Sequence, residues 1–263
     1  MHKLIPGILI IIALALPGKL MAWGKTGHRV IGEIASLHLS EKALKEVRNI
    51  LGNESIAMAS TWADFIRSDS SYTFLDTWHY INFKANLEYG EMVKLLDTDS
   101  TVNAYTKINF LRGELKRSIH SLETKAIYLK LLIHLVGDIH QPLHVSPEGT
   151  AGGNTIRVKW FGNASNLHRV WDEQLVEFQQ LSYTEYASAI NFVPDDKKKK
   201  LQQQPLSAWL FESYTIAQEL HDEIKTENPS LGYNYNFKHL ETLNNQLQKG
   251  GVRLAGILNE IFN

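Results

Sequence analysis

The chain has 263 residues, 44% of them apolar, with 27 basic and 28 acidic residues and no cysteine. That length and apolar share suit one domain, or at most two small ones, around a sizeable core. Near-neutral charge excludes a broad basic surface as the means of holding nucleic acid, so any such contact must be local; the absence of cysteine excludes disulfides and thiolate metal ligands.

Residues 1–22 combine Lys3, an apolar run over 4–16 and the small residue Ala22. This is the pattern of a secretory signal peptide, and the run is shorter than the roughly 20 residues a membrane-spanning helix needs. Cleavage after Ala22 makes Trp23 the first residue of a domain over 23–263, secreted or periplasmic and without a membrane anchor. Lys3 and Lys19 leave with the leader, which takes the formal charge from −1 to −3.

Apolar residues then recur at helical spacing. Ser40 caps a helix over 41–51 that Gly52 stops, and the same pattern predicts helices near 26–38, 55–68, 100–120, 123–140, 170–180, 183–191, 206–226 and 236–261. The one β feature is 154–161, where Thr155, Ile156, Val158 and Trp160 lead into the turn Gly162-Asn163. The lysines 197–200, between Pro194 and Pro205, read as a solvated loop. There is no internal repeat. The expected fold is all-α, a single-domain multi-helix bundle with one minor β-hairpin, and a monomer.

Within this frame, histidines and aspartates fall at telling intervals. His134 and Asp138 are four apart in an apolar helix, and so are His168 and Asp172, a spacing that puts both side chains on one helix face. One such pair is equally an ordinary helix-surface contact. His134 and Asp138, however, sit among Leu131, Leu132, Ile133, Leu135 and Val136, where unpartnered polar groups are costly. Pro142 ends that helix and lets His144 return to the same region. Upstream lie His28, Asp64 and His79, which taken singly also read as a helix-start polar residue, a surface acid and a loop or strand side chain. Together, five histidines and three aspartates suit zinc and are too rich in nitrogen for magnesium or calcium. With the amine and carbonyl of a new N-terminus at Trp23, the donors suffice for three zinc ions that keep open positions.

The chain resembles the zinc-dependent single-strand nucleases of the S1/P1 type, which are more distantly related to zinc phospholipase C. The resemblance runs from Trp23 to the C-terminus. It rests on Trp23-Gly24-Lys25-Thr26-Gly27-His28, Trp62-Ala63-Asp64 with Arg67, Trp78-His79-Tyr80, His134-Leu135-Val136-Gly137-Asp138 followed by Gln141-Pro142-Leu143-His144, Gly152-Gly153-Asn154, and Leu167-His168-Arg169-Val170-Trp171-Asp172, with Gly250-Gly251-Val252-Arg253-Leu254-Ala255 near the end. It implies one zinc held by Asp64, His79, His134 and Asp138, a neighbour held by the Trp23 amine and carbonyl, His28 and a bridging Asp138, and a third held by His144, His168 and Asp172. It also implies hydrolysis of single-stranded DNA and RNA to 5′-phosphate products and removal of 3′-phosphate from nucleotides.

A water shared by two zinc ions loses its proton near neutral pH, so a zinc-bound hydroxide is the expected nucleophile. Asp64 and Arg67 are the expected catalytic residues, orienting the nucleophile and supporting Asp64 or the phosphate. Tyr80 is the expected base-stacking residue, with Asn82 and Asn154 as partners for base edges; the family's usual residue at the Asn82 position is Asp. Asn163-Ala164-Ser165 is a glycosylation sequon. His38, His120, His140, His221 and His239 have no partner at ligand spacing and read as ordinary. Two rival functions are a phospholipase C-like enzyme acting on lipid headgroups and a non-catalytic zinc-binding protein.

Overall fold

The computed structural model describes residues 23–263; the expected signal peptide lies outside them. The chain runs α1 (Lys25–Leu37), α2 (Glu41–Leu51), α3 (Ile56–Ala59), α4 (Trp62–Ile66), a tight 3₁₀ stretch Ser70–His79, β1 (Ile81–Phe83), α5 (Tyr89–Thr98), α6 (Ala104–Leu115) and α7 (Leu122–Asp138). It continues through β2 (Val145–Pro147), the hairpin β3 (Arg157–Trp160) and β4 (Asn163–Asn166), α8 (Leu167–Arg169), a π-helical turn Val170–Gln174, and α9 (Leu175–Phe178). Then come α10 (Tyr183–Ile190), α11 (Asp195–Gln203), α12 (Leu206–Glu223), β5 (Ser230–Leu231) and α13 (Tyr233–Phe262). The fold is mostly α, as expected.

The core is organised around α7. Every residue from Leu131 to Asp138 is buried, so the C-terminal half of this helix is mostly apolar on all sides because it is covered on all sides. The 30-residue α13 packs along α1 and also reaches α7, while α3, α4 and α6 close around α7. Ser121 starts α7 by accepting a hydrogen bond from the Thr124 amide at 3.2 Å, which satisfies one of the amides the first turn leaves unpaired.

The short strands bring distant loops together. β1 and β2 pair in parallel with Ile81 opposite Val145, so His79 and His144, each just before its strand, come side by side. β3 pairs antiparallel with β4, as the hairpin reading required, and parallel with β5.

Several boundaries differ from the sequence expectations. The stretch 55–68 is broken into α3 and α4, and 100–120 holds only α6, with α5 preceding it. The strand expected over 154–161 is confined to Arg157–Trp160, because Ala151–Gly153 forms a helical turn around glycines at φ 60° and 81°. Lys197–Lys200 lie in α11, not a loop; Pro194 precedes that helix and Asp195 and Asp196 occupy its first turn, which favours helix initiation and complements the helix dipole. Removing the cap of the central helix, Ser121→Ala, should cost about 0.5–2 kcal/mol in denaturant unfolding with activity retained.

Candidate metal centre

Eight potential ligand side chains converge on the C-terminal end of α7. His134 and Asp138 leave the same face of that helix and are fully buried. His28 reaches them from the first turn of α1, Asp64 from α4, and His79 from the end of the 3₁₀ stretch. His144 follows the break at Pro142, while His168 and Asp172 flank the α8–π junction. The π turn keeps His168 Nε2 and Asp172 Oδ2 at 2.9 Å; such widened turns occur frequently at functional sites.

Donor atoms gather into groups. His79 Nδ1 is 2.9 Å from Asp138 Oδ2 and 3.0 Å from His134 Nε2. His134 Nε2 lies 3.3 Å from Asp138 Oδ2 and 3.8 Å from Asp64 Oδ1, and His28 Nε2 lies 3.3 Å from the other oxygen of Asp138. His144 Nε2 is 3.7 Å from Asp172 Oδ1. These separations match the edge of a coordination shell built on bonds of roughly 2.0–2.1 Å. Three groups could hold a metal ion: His28, Asp64 and His134; His79, His134 and Asp138; and His144, His168 and Asp172. The first two share His134, and Asp138 faces both of them through its two oxygens.

The rings are aimed by carbonyl groups. Nδ1 of His134 donates to Ser60 O at 2.7 Å, that of His144 to His79 O at 2.7 Å, and that of His168 to Gly152 O at 2.6 Å. A carbonyl only accepts, so in each ring Nδ1 carries a proton and Nε2 is the nitrogen turned to the cluster. Gln141 donates to Asp172 Oδ1 at 2.5 Å and orients that carboxylate.

Several of these atoms are buried without a hydrogen-bond partner: both nitrogens of His28, His79 Nε2, Asp64 Oδ1 and Asp138 Oδ1. Orphaned buried polar atoms cost on the order of 1–3 kcal/mol each, so their concentration at one point fits a site built to bind cations. Charge coupling is correspondingly strong. Burial and neighbouring His134 push His28 down to about 4. Burial also opposes the charged form of His134, but Asp138 and Asp64 outweigh it and raise this ring to about 9. Burial would raise Asp138 too, yet His134, His28 and His79 hold it well below the usual carboxylate range. Asp172 is raised by burial.

Two glycines let the rings approach. A Cβ on Gly137 would stand 2.8 Å from His28 Nδ1, and one on Gly152 would stand 2.6 Å from Leu143 O and 3.2 Å from His168 Nδ1. Trp23 is completely buried, and its indole donates to Gly137 O at 3.0 Å, one residue before Asp138. The Gly24 amide donates to Asp172 O at 2.6 Å. The start of the domain is therefore tied to both halves of the cluster.

A pocket of about 240 Å³ opens beside the cluster, lined by His79, His144 and His168 together with Arg67, Asp76, Tyr80, Asn82 and Gly152. Arg67 Nε donates to Asp76 Oδ1 at 2.8 Å, and its Nη1 lies 3.7 Å from Asp64 Oδ1. Tyr80 and Asn82, the expected base-binding residues, both line this pocket. Asn154 is not among the lining residues; its amide donates to Ala151 O at 2.9 Å, and Ala151 lines the pocket. Asp76 escaped the sequence reading because nothing in its spacing distinguishes it from other surface acids. His140 turns away from the cluster, donating to Val136 O and accepting from Arg253 of α13.

Residues 23–263 match the S1/P1 nuclease family model. The chain belongs to the S1/P1 nuclease family. It is 30% identical to Endonuclease 3 of Arabidopsis thaliana over 96% of this chain and 93% of that protein. It is 31% identical to Nuclease S1 of Aspergillus oryzae over 62% of this chain and 58% of that one, and 26% identical to Nuclease P1 of Penicillium citrinum over 91% and 97%. As an S1/P1 family member the chain is a nuclease, and the convergent histidines and aspartates lie within the matched region.

The contact between Gly137 and His28 makes a paired prediction. Gly137→Ala should lower stability by about 1–3 kcal/mol through overpacking. Gly113→Ala, in α6 where a Cβ meets nothing within 4 Å, should be neutral or stabilising by up to about 1 kcal/mol. Thermal unfolding of the two variants side by side checks this.

Proposed function

We propose that the protein is an exported zinc-dependent phosphodiesterase that cleaves single-stranded DNA and RNA to 5′-phosphate products and also removes 3′-phosphate from nucleotides. The observation that carries this reading is Asp138, a fully buried carboxylate whose two oxygens face different sets of histidines beside an open pocket. All-nitrogen-and-oxygen donors and family membership favour zinc. Asp64, His79, His134 and Asp138 would hold one ion; the Trp23 amine and carbonyl, His28 and Asp138 a second; and His144, His168 and Asp172 a third. Bound zinc supplies Lewis acidity, lowering the pKa of water toward neutrality and offsetting charge on the phosphate.

The protein's own groups then do the positioning. Asp64 offers an unpartnered oxygen at the cluster to orient the attacking water. Arg67, braced by Asp76, presents its guanidinium to the pocket, where it stabilises negative charge building on the phosphate oxygens. Tyr80 offers a ring face for one base and Asn82 a donor and acceptor for its edge; Asn154 supports the rim through Ala151. A pocket of this size takes a single unstacked base, which a duplex resists giving up.

The leader 1–22 exports the chain, and its removal after Ala22 frees the Trp23 amine. A protein retaining a residue before Trp23 should therefore bind about one zinc fewer.

Single-stranded oligonucleotide, duplex and phosphatidylcholine assayed in parallel test the reading. Cleavage of the single strand alone is expected, abolished by a chelator and restored by zinc, with Asp138→Asn reducing it by on the order of 10²-fold or more. Lipid turnover without nucleic-acid turnover, or a fully active Asp138→Asn protein, would overturn it.

A further inference from the structure

Next to the metal centre lies a strip of aromatic and cationic side chains that the cleavage chemistry does not use. The 3₁₀ stretch that supplies His79 and Asp76 to the pocket also carries Tyr72, Phe74 and Trp78. Trp62 meets Tyr72 edge-on at 5.9 Å, Tyr72 stacks near Phe74 at 6.2 Å, and Phe74 meets Trp78 at 5.8 Å. Lys107 of α6 then places its ammonium 4.6 Å from the Trp78 ring and 5.4 Å from Phe110.

Two features set this strip apart from core packing. Phe74 and Phe110 are 58% and 43% exposed, large apolar faces that cost free energy in water unless something covers them. Among the described residues no carboxylate pairs with Lys107; its contacts are the two rings. An ammonium without a carboxylate partner, set between the buried Trp78 ring and the exposed face of Phe110, suits an anion that carries flat rings. Single-stranded nucleic acid is such a ligand, since its bases stack on aromatic side chains and its phosphates take the cation.

Resting on the nuclease reading above, we infer that this strip is a strand-binding track: nucleotides flanking the one in the pocket stack on Phe74, and Lys107 contacts one of their phosphates. Continuity supports this occupant over others, because the residues that line the pocket and those that form the strip alternate along one stretch, Phe74, Asp76, Trp78 and His79. The track lengthens the enzyme's grip on a strand without touching the reacting atoms. A dinucleotide, too short to leave the pocket, gains nothing from it.

The test compares kcat/KM on a dinucleotide and on a single-stranded octanucleotide of the same cleaved step, for the zinc-loaded wild-type enzyme, Phe74→Ala and Lys107→Gln. Both variants should keep dinucleotide cleavage, which also reports that they fold. On the octanucleotide, Phe74→Ala should lose roughly tenfold. Lys107→Gln should flatten the dependence of log KM on log salt by about 0.7, the value of one single-strand phosphate contact. Unchanged octanucleotide-to-dinucleotide ratios in both variants would overturn the track and leave the nuclease reading intact. Absence of cleavage of either substrate by the wild-type enzyme would overturn both. Equal loss on both substrates would make the strip structural and also overturn the proposal.

Discussion

Burying Asp138 sets the terms for the rest of the molecule. An ionised carboxylate withdrawn from water costs several kcal/mol unless charge and hydrogen bonds repay it, and here it sits at the buried end of α7. His28, His79 and His134 surround it, and each is itself buried. Such an arrangement is poorly satisfied by protein groups alone, as the unpartnered atoms of His28, His79, Asp64 and Asp138 show. Bound cations would resolve the conflict, supplying positive charge to the carboxylate and taking up the inward-facing ring nitrogens as ligands.

Each neighbouring element can be understood as serving that point. Ser60 at the end of α3 holds the His134 ring, and the β1–β2 pairing sets the His79 carbonyl where it fixes His144. The helical turn at Ala151–Gly153 presents its carbonyl to His168 only because Gly152 adopts φ 60° and carries no Cβ. Trp23 is stitched to Gly137, so the first described residue is locked against the helix that ends at Asp138. The carbonyl bonds explain how histidines from separate segments reach a common orientation without a long sheet to align them.

Much of this was legible in the sequence because it depends on local spacing. The four-residue intervals of His134–Asp138 and His168–Asp172 report helix geometry directly, and the break at Pro142 accounts for the return of His144. The hairpin at 157–166 followed from alternation and Gly162-Asn163. What failed to show depended on contacts between segments distant in sequence or on backbone detail. The 3₁₀ stretch Ser70–His79 has no periodicity to betray it, and the parallel pairing of β1 with β2 joins strands of three residues each. Asp76 acquires its meaning only when Arg67 is beside it, and the hydrogen bond from the Asn154 amide to Ala151 O is a backbone contact that spacing does not report. The lysines at 197–200 looked like a loop because they are polar and bracketed by prolines, whereas Pro194 leads into a helix and the lysines cover its solvent face.

Asp138 as a carboxylate common to two metal ions is the central claim, and anomalous diffraction from crystals of the mature protein, collected on both sides of the zinc absorption edge, tests it most directly. The account predicts three zinc peaks, two of them roughly 3.5–4 Å apart with Asp138 between them and the third beside His144, His168 and Asp172. A single peak near α7, or two that Asp138 does not join, would contradict it.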